Sequence, residues 1–115
     1  MLQVKEHSEN VLIVTPDFNI DIENIDSVVA MKEQILNWIA KTENPVLIMD
    51  LGNCEYIDST GLGNIIRIYE QLRRKQGSFI AINVNDNVND IFEITTINKL
   101  IQIYLTLEEA LESIE

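Results

Sequence analysis

Residues 46–51 read Val-Leu-Ile-Met-Asp-Leu, and residues 56–63 read Tyr-Ile-Asp-Ser-Thr-Gly-Leu-Gly. The first run follows Pro45 and stays apolar to Met49, the mark of a strand covered on both faces, as in parallel sheets. The second puts two hydroxyls and two glycines where a loop becomes a helix. Asp58, Ser59 or Thr60 suits the cap of that helix, and Gly61 lets another segment pack closely. Two glycines in a first turn cost roughly 1 kcal/mol each against alanine, so helix propensity does not account for them. They leave the backbone bare, which suits a phosphate or a partner's close approach. No Lys-Ser/Thr pair follows, which excludes a Walker A loop, and two glycines do not make a dinucleotide fingerprint.

Outward from this stretch, strands and helices alternate. Downstream, a helix from about Thr60 carries Leu62, Ile65, Ile66, Tyr69 and Leu72 as its inward stripe. Arg67, Arg73, Arg74 and Lys75 lie outward and toward its C-terminus, and Gly77 suits the position just past its end. Ser78–Asn83 reads as a strand, Val88–Ile94 as a short helix and Ile101–Tyr104 as a last strand. Thr106-x-x-Glu109 has capping-box spacing ahead of a final helix with Leu107, Ala110, Leu111 and Ile114 on its apolar side.

Upstream, Leu2–Lys5 and Val11–Thr15 read as strands joined through a polar hairpin turn, Glu6 to Asn10, which includes His7. Asn24, Asp26 and Ser27 are candidate caps of a helix running to about Lys41. Val28, Met31, Ile35, Trp38 and Ile39 form its buried stripe. The order β-β-α-β-α-β-α-β-α predicts an α/β fold with four helices. Its mixed sheet begins with an antiparallel pair, continues with parallel β-α units, and makes residues 1–115 one domain.

Composition narrows the function. Nineteen acidic and eight basic residues give a net charge of −11, which opposes binding to nucleic acid or an anionic membrane. No apolar run approaches a membrane span, and the N-terminus lacks a signal-peptide pattern, so a cytoplasmic location is expected. Cys54 and His7 are the only residues of their types, which leaves no Cys/His metal set and no cofactor to assign. Cys54 reads as a small buried or half-buried filler, and Asp50 as a loop-bonding residue that closes its strand. No base, nucleophile and oxyanion set emerges, so an enzyme is not expected.

The strand ending Asp50-Leu51 and the motif Asp58-Ser59-Thr60-Gly61-Leu62-Gly63 closely resemble the STAS family, and within it the bacterial anti-sigma-factor antagonists. The resemblance covers essentially the whole chain, including Ile91-Phe92 and the closing Thr106–Leu111 segment. Two departures stand out. Thr96-Ile97 replaces a usual Gly-Leu after the third helix. Asp17-Phe18-Asn19-Ile20-Asp21 replaces Gly-x-Leu-Asp before the first, so that either Asp21 or Asn24 takes the aspartate's place.

The resemblance implies that Ser59 is phosphorylated, with Thr60 as the alternative acceptor. Its kinase, a serine kinase of histidine-kinase-like ATPase fold, would also be the anti-sigma factor. Unphosphorylated protein would bind that kinase and release the sigma factor, and a PP2C-type phosphatase would restore the active form. A monomer or weak dimer is expected. The contact surface would comprise Asp21, Asn24, Asp58, Ser59, Thr60, Gly61, Leu62 and Gly63. Leu62 and Gly63 would be reachable from outside, and Gly61→Arg would block docking without unfolding the chain. The alternative is a STAS scaffold or adaptor in another signalling assembly, with no sigma factor.

Overall fold

The computed structural model describes residues 2–115. Its sheet has five strands in the order of the sequence. β1 (Leu2–Ser8) runs antiparallel to β2 (Val11–Pro16), and β3 (Val46–Asp50), β4 (Ser78–Ile82) and β5 (Gln102–Tyr104) continue it in parallel. The helices are α1 (Ile25–Ala40), α2 (Ser59–Arg74), α3 (Asp86–Ile94) and α4 (Leu107–Ser113). This is the expected order of elements.

Alternation along the strands explains their unbroken apolarity. Leu12, Val14, Leu47, Met49, Phe79 and Ala81 face a core shared with α1, α2 and α3. Val11, Ile13, Ile48, Ile80 and Ile82 face the other way and pack with Ala110 and Leu111 of α4 and with Ile114 at its end. Side chains two apart share a face, so a sheet covered on both sides needs apolar residues at every position.

Several local expectations are corrected. β1 continues through His7 to Ser8, leaving only Glu9 and Asn10 between the strands. This edge strand is exposed along most of its length, so its polar residues look like a loop in the sequence. The first turn before α1 is a 3-10 turn, Ile22–Asn24, capped by Asp21, and Asn24 makes no side-chain cap bond to α1. The α1 stripe of Val28, Met31, Ile35, Trp38 and Ile39 is buried as expected. On α2 the buried set is Gly61, Leu62, Ile65, Ile68 and Leu72. Ile66 is 37 % exposed and Tyr69 is half-buried, so the helix is rotated relative to the expected stripe.

The left-handed residue after α2 is Gln76, with φ 58°, and not Gly77. Its N–H donates to Arg73 O at 3.0 Å and that of Gly77 to Leu72 O at 2.8 Å, which is a Schellman closure. Gly77 is needed for another reason: a Cβ there would run into the Pro45 carbonyl. The Thr96-Ile97 turn is also distinctive. Thr96 sits at φ 60°, a region that β-branched residues avoid, while Ile97 is buried.

Candidate functional site

The carboxyl ends of the parallel strands feed three loops, and side chains at their bends tie them together. Asp50 Oδ1 accepts from the Gly52 N–H and from Asn83 Nδ2, each at 3.0 Å, the loop-bonding role expected of it. Asn85 caps α3 through the Val88 N–H (2.8 Å). Its Nδ2 donates to the carbonyls of Cys54 (3.2 Å) and Glu55 (3.4 Å). Cys54 is fully buried as expected, and burial pushes its thiol above its usual pKa, which disfavours the thiolate.

The loop before α2 is joined most closely to the loop before α1. Asn19 Oδ1 accepts from the N–H groups of Glu55 (2.8 Å) and Tyr56 (3.2 Å). Ile20 and Ile57 form an isolated parallel bridge: the Ile20 N–H donates to Tyr56 O at 3.1 Å and the Asp58 N–H to Ile20 O at 3.3 Å. Asp58 then completes the join with both carboxylate oxygens. Oδ1 accepts from the Gly61 N–H at 2.9 Å, capping α2, and Oδ2 accepts from the Ile22 N–H at 2.8 Å. Burial raises the Asp58 pKa, but the N–H groups of Gly61, Ile22 and Thr60 outweigh it and hold the carboxyl below its usual value. An ionised carboxylate therefore stands beside Ser59.

Ser59 is the first residue of α2, and it is exposed. Thr60 is half-buried, and its carbonyl accepts from Asn64 Nδ2 at 2.9 Å. Gly61 is buried against the joined loop, and a Cβ there would collide with the Ile20 carbonyl. That overturns the expectation that Gly61 is open to a partner and tolerates arginine. Leu62 is only 8 % exposed, so it is not reachable from outside either. Gly63 is the open one: it is exposed and nothing lies within 4 Å of a Cβ placed there.

Asp21 and Asn24 are not alternatives but parts of one cap. Asp21 Oδ1 accepts from the backbone N–H of Asn24 (3.1 Å) and from its Nδ2 (2.8 Å). Asp21 is buried, and Ile22, which follows it, makes the tie to Asp58. Two side chains on the joined loops receive no role from the sequence, although Tyr56 opens the stretch 56–63. Ile22 is 57 % and Tyr56 49 % exposed. Single large apolar residues within loops carry no period, so only three-dimensional placement identifies them.

No helix of the described residues is long and apolar enough to cross a membrane. No group of three or more His, Cys, Asp or Glu side chains among them could hold a metal ion.

Comparison with known proteins gives a consistent result. The STAS domain model matches residues 3–110. The anti-sigma-B factor antagonist of Listeria monocytogenes is 34 % identical over 80 residues, which cover 69 % of this chain and 70 % of the relative. The anti-sigma F factor antagonist of Paenibacillus polymyxa is 29 % identical over 115 residues, covering 99 % and 96 %. Among solved structures, the anti-sigma factor antagonist SpoIIAA superposes in its unphosphorylated form with a TM-score of 0.83 at 18 % identity, covering 99 % of this chain and 96 % of that one. The phosphorylated form of SpoIIAA from Bacillus superposes at 0.78 and 16 %, covering both chains fully. The chain belongs to the STAS domain family, among the anti-sigma factor antagonists.

Proposed function

We propose that this chain is a phosphorylation-controlled partner switch acting through Ser59. Unphosphorylated, it docks on an anti-sigma-factor serine kinase of histidine-kinase-like ATPase fold and releases the sigma factor. Phosphorylation of Ser59 ends docking, and a PP2C-type phosphatase reverses it. The observation that carries this reading is an exposed hydroxyl at the first position of α2, beside an ionised carboxylate, on loops already fixed in place.

A phosphoserine adds about −1.5 to −2 charges. A helix N-terminus favours an anion by roughly 0.3–1 kcal/mol, but here Asp58 already holds the Gly61 N–H. Phosphate oxygens would meet like charge where a partner must exclude water. The half-buried Thr60 presents its hydroxyl less openly than Ser59 does. Ile22 and Tyr56 would supply apolar anchors beside Ser59, and Gly63 an open backbone for close approach. A loss of about 2–4 kcal/mol on phosphorylation would weaken the complex roughly 30- to 1,000-fold, enough for a switch.

Affinity capture from the host with wild type, Ser59→Ala and Ser59→Asp, followed by calorimetry on the retained kinase, tests this. Ser59→Ala should hold a histidine-kinase-like ATPase at wild-type affinity, and Ser59→Asp should bind it much more weakly. Equal affinities for all three, or retention of other STAS chains in place of an ATPase, would reject it.

A further inference from the structure

Away from the Ser59 end, α2 borders a groove of about 580 Å³ lined by Ile66, Tyr69, Glu70, Arg73, Arg74 and Leu100. Ile66, Tyr69 and Arg73 recur at helical spacing on one side of α2, and Leu100, from the turn before β5, is 44 % exposed. Fourteen residues separate Ser59 from Arg73, about 21 Å of helix. All three arginines of the chain stand on α2, Lys75 follows them, and Lys99 precedes Leu100. Five of the eight basic residues of a chain with net charge −11 thus stand on α2, at its C-cap or in the turn before β5. The macrodipole accounts for cations in the last turn of α2, but not for Arg67, for Lys99, or for apolar side chains left open beside them.

We infer that this groove docks an acidic amphipathic peptide segment of a partner protein, whose apolar side meets Ile66, Tyr69 and Leu100 and whose carboxylates meet Arg73 and Arg74. Charge complementarity selects the occupant. An acidic segment is repelled by most of this surface and attracted here, so the rest of the molecule enforces the address. A free polyphosphate or nucleic acid would use the cations but leave the apolar side unmatched. A second copy is poorly equipped, because its own acidic amphipathic helix, α4, is packed on its own sheet through Ala110, Leu111 and Ile114. This docking is independent of the Ser59 switch.

The probe is a synthetic end-capped peptide with the sequence of residues 105–115, Leu-Thr-Leu-Glu-Glu-Ala-Leu-Glu-Ser-Ile-Glu, titrated into the full chain by NMR. Saturable shifts confined to residues 66–74 and 99–102 are expected. Affinity should fall as salt is raised, and roughly tenfold in the double variant Arg73→Glu/Arg74→Glu. Leu100→Ser should weaken binding as well, and Ser59→Asp should leave it unchanged. Should a variant melt early, the wild-type shift map and its salt dependence decide alone. Absence of saturation at millimolar peptide, shifts centred on Ser59, equal affinity for a folded charge-reversed variant, or the same shifts from self-association without peptide would each overturn the inference.

Discussion

A methyl group added at Gly61 and one added at Gly63, two residues along the same helix, meet opposite surroundings. At Gly61 it runs into the Ile20 carbonyl, and backbone cannot move aside as a side chain can. Gly61→Ala should therefore destabilise the chain by about 1–3 kcal/mol, the usual range for overpacking, as read by chemical denaturation. Gly63→Arg should melt close to wild type and lose kinase binding, because its side chain projects into open space beside Ser59. Wild-type affinity in that variant would remove Gly63 from the docking surface. Thr96 is the other residue with a clear sign. Its left-handed φ of 60° costs a β-branched residue about 1–2 kcal/mol, while glycine gives back part of that in unfolded-chain entropy. Thr96→Gly should be stabilising by about 0.5–1 kcal/mol, measured as a shift in the denaturation midpoint.

Among the elements, α2 depends on a single side chain at its start. Asp58 both caps the helix and holds the loop before α1, so Asp58→Ala should cost about 1–2 kcal/mol, as a lost cap together with a lost charge-assisted bond. Its pKa is lowered in the folded chain, so its contribution is fully present above the unfolded aspartate value near ~3.9 and fades as pH falls toward the folded value. The stability gap between wild type and Asp58→Ala should be widest at neutral pH and narrow below about pH 4. A gap that does not change with pH would show that the carboxylate's charge plays no part. The elements themselves were largely legible, because buried parallel strands and amphipathic helices declare themselves by period. The α1 stripe was read residue for residue. The α2 stripe was not: Ile65, Ile66 and Ile68 are all apolar, and only the neighbours decide which faces in. The motif drew attention to the candidate site, but whether a glycine in it serves an outside partner or an inside contact depends on where Ile20 lies, thirty-nine to forty-one residues upstream of Ser59 to Gly61 in sequence yet against Gly61 in space. The same holds for Asp21 and Asn24, which the sequence sets as rivals and the fold joins in one hydrogen-bonded cap.

For the molecule as a whole, phosphorylation at Ser59 should act by local charge and leave the architecture alone. Amide shifts should cluster over residues 57–64 and pass through the Asp58–Ile22 bond to the loop around Asp21, with little change in melting temperature. Shifts spread through β4 and α4, or a large fall in melting temperature, would show a conformational switch instead. The sheet offers little to propagate a change: both its faces are covered by packed side chains, and such interiors do not deform continuously. One consequence of the loop-to-loop bonding concerns time. The N–H groups of Ile20, Ile22, Tyr56 and Asp58 are all engaged between loops, so they should exchange with deuterium at rates closer to those of strand amides than to those of ordinary loops. A partner would then meet a surface already in its binding shape. Association would be limited by collision and charge steering, with no slow rearrangement to wait for, and the observed rate should rise linearly with partner concentration without reaching a plateau.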